Sequence, residues 1–145
     1  MEDQYIEIIM LELDFHLIGT IREMRIKHRP SMSQLVLSQK LELSESYVSK
    51  VENYKVSTRY NLRTINKAVN LFNVGSYAEI FPKDIVKNDL VRIRLKKLPI
   101  KKGKVDVNAD GSVDKTYEVV SITPLTEKEL ELWKAKKLKY LTVIK

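Results

Sequence analysis

The chain has 145 residues and no cysteine, enough for one ordinary domain or two small ones, with no disulfide framework and no thiolate metal site possible. Its net charge of +7 is uneven: −5 over residues 1–14, +5 over 15–82 and +7 over 83–145. No apolar run approaches the roughly 20 residues of a membrane span. The opening Met1-Glu2-Asp3-Gln4 also lacks the basic region of a signal peptide, so the reading predicts a cytoplasmic protein without membrane contact.

Tyr5 to Leu13 is acidic and apolar, and its periodicity fits a helical extension or a strand; helix is favoured, with a role in packing or self-association. Ile18 to Arg25 reads as a first helix with Ile18 and Ile21 inward. Ser33 is an N-cap candidate for a short helix carrying Leu37 and Leu41 one turn apart. Glu42-Leu43 makes a turn, and Ser44 is a cap for a second short helix with Val48 and Val51 inward. That second helix turns Glu45, Ser46, Tyr47, Ser49 and Lys50 outward, dimensions and chemistry that suit a DNA major groove. Asn61 caps a helix whose Leu62, Ile65, Val69 and Phe72 recur at helical spacing. Ser76 to Glu79 starts a short fifth helix, anchored by Ile80 and Phe81 before Pro82.

After Pro82 the texture changes. Leu90 to Leu95 alternates as a strand, with Val91, Ile93 and Leu95 on one face and Arg92 and Arg94 on the other. Val105–Val107 and Tyr117–Ile122 read as further strands, joined through the turn Asn108-Ala109-Asp110-Gly111 as a hairpin. Thr126 and Glu129 form a capping box, with Leu125 and Leu130 as its hydrophobic staple. A helix from about Glu127 to Lys137 follows, burying Leu130 and Trp133, and Tyr140 to Ile144 closes as a strand. Lys96-Lys97 to Lys104 reads as a mobile basic loop.

The segment from Ser33 to Glu52 resembles the Cro/C1-type (XRE-like) helix-turn-helix family. Ser33-Gln34, Leu37-Ser38 and Leu43-Ser44-Glu45-Ser46-Tyr47-Val48-Ser49-Lys50-Val51-Glu52 fill the family's pattern, and the resemblance extends from about Ile18 to Phe81. It departs at Glu42, where the family has Gly, at Ser38, where it has Ala, and in a longer loop over Arg29-Pro30-Ser31-Met32. Leu35 and Val36 stand where the family is polar, either packed on that loop or on the N-terminal segment, or forming a protein-contact patch. The resemblance implies a mainly α domain over 15–82, a five-helix bundle; the residues themselves place an acidic segment (1–14) before it and a small basic α+β unit (83–145), matched to no family, after it. It implies an ion pair between Arg25 and Glu52 that ties the first helix to the recognition helix.

Ser46, Tyr47 and Lys50 are then expected at base edges, with Glu45 able to accept from cytosine and Ser49 nearby. Gln34 is expected on a phosphate, with Lys55 and Arg59 on the backbone beyond. The bland alternatives are that Tyr47 only packs and Ser46 only completes the helix start. Double-stranded DNA and a second copy of the chain, held through the C-terminal unit or through the segment around Tyr77 to Phe81, are the expected partners. The competing class is an antitoxin, or another protein-binding module, whose C-terminal unit masks a toxin. Asp106, Asn108 and Asp110 before Gly111 match half a calcium loop, but Tyr117 stands at the twelfth position and lysines surround it; a plain turn is favoured. With two histidines and no phosphate-binding Gly loop, no catalysis, metal or cofactor is predicted.

Overall fold

A computed structural model describes residues 4–99 and 105–144. The chain is α+β, with a four-stranded antiparallel sheet of order β3-β2-β1-β4. It divides into two compact units, one from Met1–Glu12, Val86–Lys102 and Lys115–Lys145, the other from Leu13–Ile85 and Gly103–Asp114. This corrects the expected architecture of a mainly α five-helix bundle followed by a separate α+β unit.

The correction begins at the N-terminus. Tyr5–Leu11 is not helical but forms β1, which lies inside the sheet, paired with β2 (Leu90–Lys97) on one side and β4 (Leu141–Ile144) on the other. Ile6, Ile8 and Met10 are buried, and so is Ile9 on the opposite face. Ile9 is the one buried residue on that face, beside half-buried Tyr5 and Glu7 and exposed Leu11, so the run Ile8-Ile9-Met10-Leu11 is apolar on both faces and carries no period from which helix and strand could be told apart. The β-branched Ile6, Ile8 and Ile9 suit the pleated backbone, and the pairing with two neighbours decides the conformation.

In β2 the alternation holds, with Val91, Ile93 and Leu95 buried and Arg92, Arg94 and Lys96 half-buried on the other face. Arg92 is flanked by the carboxylates of Glu7 and Glu129, and the Arg94 guanidinium lies 5.6 Å from the ring centre of Tyr5. The next strand, β3 (Tyr117–Pro124), pairs with β2 across a bulge at Val120. It does not form the expected hairpin with Val105–Val107, which contributes only a single bridge between Val107 and Val113. Gly111 takes φ +88° in the turn between them. The expected basic loop falls partly on Lys101, Lys102 and Lys104, which lie outside the described residues, as do Glu2 and Asp3 of the acidic segment. The capping box of Thr126 and Glu129 forms as read, but its helix ends at Lys134, and Leu130 and Trp133 are only half-buried.

The helical unit holds α1 (Glu12–Lys27), α2 (Gln34–Lys40), α3 (Tyr47–Glu52) and α4 (Leu62–Leu71). α1 starts directly at the end of β1, and its Leu17, Ile18, Ile21 and Ile26 are buried. Asn61 caps α4 by accepting from the Thr64 amide at 2.8 Å. The buried stripe of α4 is Thr64, Ile65, Ala68 and Val69; Leu62, expected inward, is exposed. The expected fifth helix is a single 3-10 turn, Tyr77–Glu79, closed by a capping box on Ser76, with Ile80 buried behind it. Among the described residues no helix is long and apolar enough to cross a membrane.

Candidate nucleic-acid interface

α2 and α3 are both too short to be stable alone, so tertiary contacts must hold them. Leu37 of α2, Leu41 at its C-cap, and Val48 and Val51 of α3 are fully buried. The Ser33 hydroxyl accepts from the Val36 amide at 3.1 Å and caps α2. The predicted cap of the second helix is displaced: α3 begins at Tyr47, its N-cap is Ser46 rather than Ser44, and the Ser46 side chain makes no capping bond. The buried Ser38 hydroxyl supplies one instead, accepting from the Val48 amide at 3.0 Å while donating to the Gln34 carbonyl at 2.9 Å. A serine where the resembled family has alanine therefore joins the two helices. Sequence reasoning saw only its small size.

The turn between them places Glu42 at φ +60°, the left-handed conformation that glycine adopts without cost. Lys67 of α4 reaches this turn, donating to the Leu41 carbonyl at 3.3 Å and lying 3.5 Å from the Glu42 carboxylate.

Beneath the helix pair lies a buried polar network. Arg25 donates from Nε to Glu52 Oε2 at 2.9 Å and from Nη2 to Oε1 at 2.7 Å, and its Nη1 donates to the Met32 carbonyl at 2.8 Å. Arg25 is 7% exposed and Glu52 9%. The two-pronged geometry satisfies both carboxylate oxygens, as a buried pair requires. Gln34, expected on a phosphate, is half-buried and donates from Nε2 to Glu52 Oε1 at 3.0 Å. Tyr60 is buried nearby without a hydrogen-bond partner for its hydroxyl. Burial, reinforced by the Glu52 carboxylate, pushes that phenol far above its ordinary value.

The predicted readers separate into two groups. Glu45, Ser46 and Lys50 are exposed on and just before α3, and Lys55 is exposed in the loop beyond it. Ser49 is half-buried and donates to the Ser46 carbonyl at 2.9 Å. Tyr47 turns inward: its hydroxyl donates to the Arg59 carbonyl at 2.5 Å, and its ring lies 6.0 Å from that of Tyr60. Arg59 is half-buried, its guanidinium donating to the Val56 and Thr58 carbonyls. Arg63, not anticipated, is exposed on α4 one turn before Lys67. An unpaired basic residue in the first turn of a helix is the signal that could have found it. Leu35 and Val36 are exposed on α2, Leu35 by 45%, so neither packing on the preceding loop nor packing on the N-terminal segment accounts for them.

The half-calcium loop uses its own oxygens. Asp110 Oδ1 accepts from the Ser112 amide and hydroxyl at 3.0 and 2.6 Å, and Asn108 donates to Asp114 Oδ1 at 3.0 Å. These Ser112 bonds hold the Asp110 carboxyl below its ordinary range. No group of three or more His, Asp or Glu gathers among the described residues. The chain matches no protein-family profile, no curated protein and no solved structure.

Proposed function

We propose that this chain is a sequence-specific double-stranded-DNA-binding protein, a transcription regulator of bacterial or phage type acting in the cytoplasm, and not an enzyme. One observation carries the reading. A six-residue helix, α3, is anchored by buried Val48, Val51 and Glu52 and turns Lys50 to solvent, with Glu45 and Ser46 exposed just before it. The resemblance to Cro/C1-type helix-turn-helix proteins over residues 18–81 supports it, as does the basic balance of the chain. In this reading Lys50 is the main base reader, Ser46 and Glu45 assist, and Lys55 and Arg63 neutralise phosphates. Tyr47 serves as packing. Reading a two-fold operator calls for two copies with their recognition helices about one DNA turn apart.

Selection of duplexes from a random pool tests this. The wild type enriches one motif, and Lys50→Ala costs roughly 1–3 kcal/mol on that motif while flattening preference at one or two positions. Absence of any enriched sequence refutes the proposal. A second reading, a protein-binding module such as an antitoxin, is favoured by the exposed Leu35 and Val36. Under it, Leu35→Ser abolishes co-purification of a protein partner from the native host and leaves the selected motif unchanged.

A further inference from the structure

We infer that the cavity between one face of the sheet and the loop after α5 (Glu127–Lys134) binds a phosphate monoester of a small organic molecule. The inference goes beyond the proposed function and concerns the sheet unit alone. Its evidence requires no DNA.

The cavity has a volume of about 310 Å³, at the lower end of the range for small-molecule sites. Its floor is the sheet face opposite Val91, Ile93 and Leu95, and carries Arg92 of β2, Glu7 and Ile9 of β1 and Thr142 of β4. The ladders set these side by side, with Ile9 opposite Arg92 and Glu7 opposite Thr142. The wall is the loop segment Lys137-Leu138-Lys139. Backbone bonds fix that loop at both ends. Lys136 takes φ +58° and closes α5, its amide donating to the Trp133 carbonyl at 3.0 Å and the Lys137 amide to the Leu132 carbonyl at 2.8 Å. At the far end the Ile9 amide donates to the Tyr140 carbonyl at 3.0 Å. Lys137 and Lys139 are thus carried on backbone tied to the sheet itself.

The charges around this cavity do not balance. Arg92 is shared by two carboxylates: its Nε lies 3.3 Å from Glu7 Oε2, and its Nη2 donates to Glu129 of α5. Lys137 and Lys139 have no ion-pair partner among the described residues, so the uncompensated charge sits on the loop. The dipole of α5 does not account for it, because that attraction fades within the last turn and Lys139 stands five residues beyond Lys134. Donor chemistry selects the anion. A carboxylate is gripped best by the flat, two-pronged edge of an arginine, and Arg92 already spends Nε and Nη2 on its own carboxylates. What remains is Arg92 Nη1, two ammonium groups and the Thr142 hydroxyl, donors spread around a volume instead of along an edge. The three terminal oxygens of a phosphate monoester match such a set, and its charge of about −1.5 to −2 at neutral pH exceeds that of a carboxylate. Buried Ile9 and half-buried Leu138 offer apolar surface to the organic part.

Calorimetric titration of the intact chain with phenyl phosphate, at constant ionic strength, tests this. Saturable one-to-one binding is expected, with amide shifts in magnetic resonance concentrated at residues 137–142 and at Arg92. Lys137→Gln with Lys139→Gln should weaken binding roughly tenfold or more at unchanged circular dichroism, two charge-assisted contacts being lost. Lys134→Gln with Lys136→Gln removes the same charge from exposed lysines that do not line the cavity, and should change affinity by less than about twofold. Benzoate should bind roughly tenfold more weakly than phenyl phosphate. Absence of saturable binding overturns the inference. So does equal weakening by the two double variants, which marks diffuse attraction to a basic surface, or benzoate binding as tightly as phenyl phosphate. If phenyl phosphate does not bind while Lys137→Gln with Lys139→Gln makes the salt dependence of duplex binding shallower, the lysines serve a nucleic-acid backbone and the inference falls. A chain that binds phenyl phosphate through these residues yet enriches no duplex keeps the inference and loses only the DNA-binding reading.

Discussion

Arg25→Met isolates the buried pair under α3. The substitution keeps an unbranched side chain but deletes three donors: two to Glu52 and one to the Met32 carbonyl. Glu52, 9% exposed, is then left with the Gln34 amide alone. Breaking a buried pair by removing one partner costs about 3–5 kcal/mol, because the remaining charge is neither solvated nor paired. Against a total stability of about 5–15 kcal/mol for a domain, that is a large fraction. Replacing both partners, as in Arg25→Met with Glu52→Leu, removes the orphaned charge and should recover most of the loss, leaving about 1–2 kcal/mol for the unpaired Met32 carbonyl and Gln34 amide. The assay is urea unfolding followed by far-ultraviolet circular dichroism, with both singles and the double compared in one cycle. A single-mutant cost below about 1 kcal/mol, or a double variant no more stable than Arg25→Met, would refute the assignment of a desolvated, mutually dependent pair.

Three further outcomes follow from the same geometry. Glu42→Gly should stabilise the chain by about 0.5 kcal/mol: relief of the left-handed φ (about 1–2 kcal/mol) outweighs the added freedom of glycine in the unfolded chain and a mostly exposed contact to Lys67. A lower urea midpoint would contradict this. Ser38→Ala, a return to the residue of the resembled family, should cost about 1–2 kcal/mol by leaving the Val48 amide without its acceptor; equal thermal midpoints would show that the bond adds nothing. The Glu129 carboxyl is held below its ordinary value by the Thr126 amide and then by Arg92, so its stabilisation is present above the unfolded value and disappears as pH falls through the lower folded value. The advantage of wild type over Glu129→Gln in urea should accordingly be full at neutral pH and vanish in acid, and a constant gap between them would exclude the carboxylate as its source.

How far the fold could be read from residues depended on whether a segment meets water on one side. β2 alternates because only one face is deeply buried, and its inward Val91, Ile93 and Leu95 were legible. β1 was not, since Ile6, Ile8, Ile9 and Met10 are buried on two faces and pairing on both sides determines the conformation. The partner of β3 was equally hidden: local turn chemistry at Asn108–Gly111 pointed to a hairpin, while the ladder joins β3 to a strand some twenty residues earlier. In the candidate interface, caps with local signals such as Ser33 and Asn61 were legible, as was the partnership of Arg25 and Glu52 through the family resemblance. The orientation of Tyr47 was not, because an amphipathic ring with a hydroxyl can serve a groove or a carbonyl equally well. Its neighbour Arg59, twelve residues on, decides which.

The departures from the resembled pattern gain a common physical sense when α3 is considered as a mechanical object. Six residues with two apolar anchors, Val48 and Val51, bury too little surface to fix a helix in orientation, and nucleation opposes its formation. Hydrogen bonds to α2 provide the missing constraint at both ends. The Ser38 hydroxyl holds the Val48 amide near the start, and the Gln34 amide holds the Glu52 carboxylate at the finish. Arg25 then ties that same carboxylate to α1. Hydrogen bonds are directional where apolar contact is not, so this arrangement fixes the rotation of α3 about its own axis as well as its position. That rotation decides which side chains point outward. The network under the helix thus sets the direction of Glu45, Ser46 and Lys50, and under the proposed DNA-binding reading a change in Arg25 or Ser38 should weaken sequence preference without touching a single exposed residue.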